Sequence, residues 1–396
     1  MNNLTAAAKH GRLYSALSIC WLLTVATSFL RNAIITIRVP MVGDIFPFRL
    51  YFNLCFDLAF FYLALQLCRD KRLMDYTLLV TGAMVVFLCA TGIWEVFFGG
   101  IWNSFYDDLK YFHFLGENYQ YPLVTYHNTN DLISSLIFCM AILSLKLFTT
   151  QAMQKNSYYL LWTLMMAAQF FLATAAVSRL GIIALLMLLG VSAVFFLLCD
   201  RKRLWAPLLI LLAFLWMSYG SQLSLASKVD VQMSLGLAPG AETLDIVDEG
   251  ADTARLMLLL HALRCFLYSR GLGVGMGNTS ALAVEWKAIP VDPEFSSIHC
   301  FVARLVADCG IFALIPLCVI GFLLLRCVWL MISKACRSGS LRLAAEGLVY
   351  LVILGMYVVL STMSSDAQDL IAMWLYLALV VVFAERFNGE TAPLAE

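Results

Sequence analysis

His299 stands two residues before the apolar run that opens Phe301-Val-Ala-Arg304. With Arg179 and Arg255 it is among the side chains best suited to chemistry in a chain poor in charge. A histidine near its ordinary pKa takes a proton from a hydroxyl. Guanidinium groups present planar donors that hold phosphate oxygens. A base beside arginines therefore suits transfer of a group from a departing diphosphate to an acceptor hydroxyl. Each residue also has a plainer reading. His299 can be an interfacial hydrogen-bonder, Arg179 a snorkelling side chain at a membrane boundary, and Arg255 a contact for lipid headgroups. Chemistry is favoured because all three are expected on one membrane face, and because charges among apolar spans are functional candidates by default.

The elements that must position them are membrane spans. Of 396 residues, 62% are hydrophobic and 13% charged, against roughly 45–50% and 25% in a soluble domain. Net charge is zero, which argues against nucleic acid as a partner. Crossing the hydrocarbon takes about 20 apolar residues, and such runs fall near 13–30, 47–67, 73–98, 131–149, 158–178, 180–199, 204–221, 301–326, 343–363 and 369–385. The first follows Lys9 and Arg12 and reads as an uncleaved span. Arg69, Lys71, Arg72, Lys155, Arg201, Lys202, Arg203, Lys334, Arg337 and Arg342 share the side of Lys9 and Arg12, which the positive-inside rule makes cytoplasmic. The expected organisation is 1–221 with seven spans, a long extracytoplasmic loop at 222–300, and 301–396 with three more spans and a cytoplasmic tail.

A helix is expected in that loop from about Thr253 to Arg270, with Asp252 as N-cap and Gly271 at the C′ position. Helical spacing puts His261, Arg264 and Tyr268 on one face. The following Gly271-Leu-Gly-Val-Gly-Met-Gly-Asn278 lacks the strand and βαβ unit of a dinucleotide site. It reads as a turn where backbone approaches another element, with N–H groups able to meet an anion. The acidic run Glu242, Asp245, Asp248, Glu249 and Asp252 lacks the spacing of a calcium loop and reads as a solvated face. Most of the twelve cysteines sit inside apolar runs with no C-x-x-C pair. Cys265, Cys300 and Cys309 lie nearer the loop, where a bridge among them stays open. No metal ligand set is read from the sequence.

Other polar segments mark span ends. Tyr126-His127-Asn128-Thr129-Asn130-Asp131 is either a helix cap or a sugar-binding segment, and Ser178-Arg179-x-Gly181 opens another run. Arg304 precedes Asp308 by one helical turn, so a structural ion pair stands beside a substrate-contact reading. These segments, with Arg255 ahead of the glycine run and Ile298-His299 leading through Leu305 to Asp308-Cys-Gly310-Ile, come in the order seen in the O-antigen ligase and O-antigen polymerase superfamily. The resemblance covers about the last two-thirds of the chain. It departs from the usual pattern at Cys300 (asparagine), Asp308 (commonly glutamate) and Ser269 (proline).

The resemblance implies an all-α polytopic glycosyltransferase of the bacterial cytoplasmic membrane, metal-independent and inverting, without a cofactor. Its site would lie on the periplasmic or extracytoplasmic face. The donor would be an undecaprenyl-diphosphate-linked oligosaccharide and the acceptor a second glycan or lipid A-core, with membrane lipid and polysaccharide assembly components as partners. Arg179 and Arg255 then match the diphosphate-binding arginines and His299 the general base. Candidate substrate contacts are Ser178, His127, Asn128, Asn130, Arg304 and, on helical geometry alone, Arg264. Polymerisation of repeat units is preferred to ligation, on the tyrosine-histidine-asparagine segment and the modest chain length. A transporter, to which intramembrane arginines and glycine breaks also belong, and a non-catalytic assembly component are the alternatives of other classes.

Overall fold

The computed structural model describes residues 19, 23–28, 47–99, 111–114, 117–124, 126, 129–149, 156–220, 250–286, 300–361 and 371–391. Twelve helices are followed in chain order. The first six are Pro47–Leu67 (α1), Lys71–Phe98 (α2), Thr129–Thr149 (α3), Asn156–Ala175 (α4), Arg179–Cys199 (α5) and Trp205–Gly220 (α6). The others are Gly250–Tyr268 (α7), Asn278–Glu285 (α8), Phe301–Cys309 (α9), Ile311–Ser338 (α10), Leu341–Ser361 (α11) and Ile371–Thr391 (α12). The chain is an all-α polytopic membrane protein: seven helices among the described residues are long and apolar enough to cross a membrane. A short antiparallel hairpin, Tyr111–Phe114 with Glu117–Gln120, is an addition the sequence reading did not contain.

Most span limits follow from local chemistry. Asp70 caps α2, its carboxyl accepting from the N–H groups of Arg72 at 2.8 Å and Leu73 at 3.1 Å. Gly99, at φ 83°, ends it. The turn from α4 to α5 is a Schellman motif: Ser178 N–H bonds the Ala173 carbonyl at 2.9 Å and Val177 N–H that of Thr174 at 3.0 Å. Its left-handed position, φ 51°, is held by Val177, where glycine is usual.

The span expected over 301–326 is instead two helices. Gly310, at φ 79°, separates α9 from α10, so the spanning segment starts at Ile311. The run is apolar on both sides of the break, and hydropathy alone joins them. The loop helix also ends differently from expectation. Arg270 N–H bonds the Leu267 carbonyl at 2.9 Å and Gly271 N–H that of Phe266 at 2.8 Å. The C′ residue is therefore Arg270, at φ 56°, and Gly271 follows it.

Helix α3 is the centre of the bundle, packed against α2, α4, α5, α11 and α12. Its Phe138 and Phe148 are fully buried with Trp162, Phe170, Phe196 and Tyr376. Phe148 stacks on Phe195 at 4.7 Å, and Trp162 donates to Ser144 Oγ at 2.8 Å, so its indole N–H is satisfied inside the apolar core. Leu79, Leu212, Trp216, Phe322 and Trp329 face outward, as a lipid-covered surface requires. One end of the bundle holds ion pairs, Lys146 with Asp75 at 2.8 Å and Arg203 with Asp200 at 2.6 Å, while Arg203 lies over the Tyr159 ring at 3.8 Å. The heads of α3 and α5 form the other.

Candidate functional site

At the head of α3, the segment 121–126 is tied down before the helix begins. Tyr126 N–H bonds the Leu123 carbonyl at 2.9 Å. Glu95, fully buried on α2, accepts from the N–H groups of Leu123 at 2.9 Å and Val124 at 2.6 Å through one carboxyl oxygen. Val124 lies at φ 54°, a left-handed conformation that turns successive N–H groups towards one acceptor. The Tyr126 phenol is mostly buried, and burial pushes its pKa up.

The head of α5 meets this segment directly. Ser178 Oγ donates to Asn130 Oδ1 at 3.0 Å, so two of the candidate contacts touch across 48 positions of sequence. Gly181 makes the close packing possible. A methyl there would sit 2.7 Å from Ile133 Cγ2 and 2.9 Å from Ser178 Oγ. Ser178 is buried, whereas Arg179, the first residue of α5, is exposed. His127 and Asn128 lie outside the described residues.

A second junction joins the loop to α9. Val274 N–H bonds the Ala307 carbonyl at 2.9 Å, Gly275 N–H that of Asp308 at 2.8 Å, and Ile311 N–H that of Gly271 at 2.9 Å. The backbones touch because Gly273 and Gly310 have no side chain. A methyl on Gly273 would overlap the Asp308 carbonyl, and one on Gly310 would overlap Leu272. The glycine run is thus the structural turn its sequence suggested, and one of its N–H groups, that of Gly277, meets a carboxyl supplied by the chain itself. The Asp308 carboxyl accepts from Gly277 N–H at 3.0 Å, from Thr279 N–H at 3.2 Å and from the Thr279 hydroxyl. Burial pushes its pKa up, against the opposing pull of Arg304 and these donors. Arg304 Nε lies 3.9 Å from Asp308, and both are buried, which is the structural pair anticipated from their spacing. Ser28 Oγ adds a bond to the Asp308 carbonyl at 2.9 Å.

Helix α7 covers α9 through Leu258, Ala262 and Cys265, with Val274, Leu282 and Ala307 completing a small core. The expected face of His261, Arg264 and Tyr268 converges on Trp286. His261 and Tyr268 meet it edge-on at 5.5 Å and 5.2 Å, and the Arg264 guanidinium lies 4.6 Å from the ring centroid. His261 Nε2 lies 2.9 Å from the Thr279 carbonyl, so that nitrogen carries the proton and donates. Its Nδ1 is buried with no hydrogen-bond partner among the described residues, and burial lowers the imidazole pKa. Cys265, 3.4 Å from the same ring, is a free thiol pushed up to about 12 by burial, so it stays protonated. Cys300 and Cys309 form no disulfide among the described residues.

Arg255 lies on α7 with its side chain outside the described residues, and His299 falls outside them altogether, next to Cys300. Among the described residues, no group of three or more His, Cys, Asp or Glu could hold a metal ion. Sequence reasoning missed Thr279, Trp286 and the two backbone partners of Glu95, Leu123 and Val124. Only Glu95 carried a signal, as an acidic residue within an apolar run.

The fold and these junctions define the class, a polytopic helical membrane protein with polar helix heads gathered at one end of α3 and α5. No family model matches the chain. Similarity extends over 300 residues to the "Teichuronic acid biosynthesis protein TuaE" of Bacillus subtilis (strain 168), at 25% identity, covering 70% of this chain and 56% of that protein. The chain therefore spans little more than half the length of that relative.

Proposed function

We propose that this protein is a membrane glycosyltransferase of bacterial surface polysaccharide biosynthesis, acting on glycans carried by undecaprenyl diphosphate. The observation that carries the reading is the Ser178–Asn130 bond, which brings two polar segments of distant sequence together and sets Arg179 at the head of α5 beside them. The similarity to a protein named for teichuronic acid biosynthesis supports the same pathway class.

In this reading His299 takes the proton from an acceptor hydroxyl. The acceptor oxygen then attacks the anomeric carbon of the donor, and the bond from that carbon to the diphosphate breaks with inversion. Arg179 and Arg255 hold the diphosphate oxygens as charge builds on the leaving group, which is where preorganised donors contribute most. Ser178, Asn130, His127 and Asn128 orient the sugars, with Arg264 as a further contact; Arg304 is taken up by its buried pairing with Asp308. The site would open on the extracytoplasmic face of the cytoplasmic membrane. Between the two acceptor classes we favour a second lipid-linked glycan, hence polymerisation, over lipid A-core.

The test is transfer by the purified protein in detergent from a lipid-diphosphate glycan, with no second compartment present. Elongated lipid-linked product is expected. Product on lipid A-core alone would make the protein a ligase. No product, with glycan movement only across sealed vesicles, would make it a transporter.

A further inference from the structure

Glu95 stands out once the two junctions are accounted for. It is fully buried near the end of a spanning helix, where an ionisable side chain is costly and marks function by default. Its bonds go to backbone, the N–H groups of Leu123 and Val124, and its other carboxyl oxygen is buried with no hydrogen-bond partner among the described residues. What a carboxyl does that an apolar group cannot is fix two N–H groups in direction as well as position.

The segment so fixed also packs on the core through Tyr121, Val124 and Tyr126, but its backbone conformation is unusual. Val124 adopts φ 54°, which a β-branched residue resists. Its side chain is buried against α2 and α4, where Gly92 leaves room: a methyl there would lie 3.6 Å from Val124 Cγ2 and 3.0 Å from Leu172. Two residues on, Tyr126 closes a turn onto Leu123, and α3 begins at Thr129 with Asn130 bonded to Ser178. Glu95 therefore holds Leu123 and Val124 a few residues ahead of Asn130, which bonds Ser178 next to Arg179.

We infer that Glu95 is a positioning residue, whose hydrogen bonds to Leu123 and Val124 set the Asn130–Ser178 contact and through it the place of Arg179. The inference rests on the glycosyl-transfer reading for its effect on rate, but its structural half stands without it. Glu95 acts through the segment and touches no reacting atom. Gln at this position keeps one oxygen to accept both N–H groups and puts its NH2 where no bond is lost. Asp is a methylene too short to reach, and Ala removes the acceptor.

The experiment measures kcat and KM for Glu95→Ala, Glu95→Asp and Glu95→Gln in the full chain. Amide hydrogen exchange is followed in parallel in peptides covering 121–131 and 172–182. Ala and Asp are expected to raise exchange in both peptides by about tenfold or more, the scale of lost hydrogen bonds to an ionisable group. They are also expected to lower kcat about tenfold to hundredfold, as a small misplacement does, with KM near wild type. Gln restores both. Faster exchange confined to 121–131, or wild-type kcat in the Ala and Asp variants, overturns the inference. If Ala does not insert, the Asp and Gln pair decides. If the wild type transfers no glycan, the proposed function falls, and exchange at 172–182 still decides whether Glu95 positions Arg179.

Discussion

The two junctions of this protein are built from similar parts and end in opposite states. At the α9 junction, a buried carboxyl meets two backbone N–H groups, a hydroxyl and an arginine, and glycines let the chains touch. At the α3–α5 junction, a serine and an asparagine bond each other while the next residue, Arg179, stays exposed at the helix head behind a left-handed valine. The first junction contains the charge pair it was built around. The second presents a cation outward, on a helix head whose dipole also favours an anion. A chain can thus carry several arginines near one polar region and use them differently. Arg304 is sealed into the structure, whereas Arg179 is exposed at the head of its helix.

Substitutions can break that contrast. Asp308→Ala leaves Arg304 buried opposite an apolar methyl and strips three donors of their acceptor, so a loss of about 3–5 kcal/mol in stability is expected. It should be read as a fall in thermal midpoint and in the amount of inserted protein. Arg179→Ala should do the reverse, leaving the thermal midpoint unchanged while transfer falls roughly 10²–10³-fold, the effect of removing one donor to a developing charge. If Arg179→Ala unfolds the protein, or Asp308→Ala leaves stability intact, the division between a sealed and an open junction is wrong.

The all-helical spanning architecture was legible because apolar runs of span length leave few alternatives. The break at Gly310 was not, because both flanks are apolar and the reason for it, the close approach of Gly273, lies in another segment. The shared face of His261, Arg264 and Tyr268 followed from helical periodicity alone. Its partner Trp286 lies just past the next helix, where no period extends. The pairing of Asn130 with Ser178 was foreshadowed only in that both belonged to polar segments at span ends. Glu95 was visible as an oddity, but its partners are backbone N–H groups, which every residue has and no sequence pattern marks.

Smaller effects sharpen the same contrast. Val177→Gly should raise stability by about 1 kcal/mol, because a left-handed conformation costs an L-residue roughly 1–2 kcal/mol and glycine returns part of that as lost entropy. The thermal midpoint is the measurement, and a lowered midpoint would mean that Val177 contributes more by packing than it costs in backbone strain. If the strain serves the placement of Arg179, the more stable variant also transfers more slowly.

The last effect, visible only on acidification, belongs to His261 in the sealed region. Burial lowers its pKa below the ordinary value of about 6.5. Above pH 6.5 the ring is neutral whether the chain is folded or not, and its contribution does not change with pH. As pH falls below about 6.5 the unfolded chain takes up a proton that the folded protein resists, so stability declines by up to about 1.4 kcal/mol per pH unit until the folded pKa is reached. His261→Gln removes this titration while an amide N–H still faces the Thr279 carbonyl. Thermal midpoints of wild type and variant should therefore keep a constant difference above pH 6.5 and converge on acidification, as the wild type alone loses its His261 contribution. A difference that stays constant down to pH 5 would place His261 in contact with water, and the region around Trp286 would then be open like the head of α5.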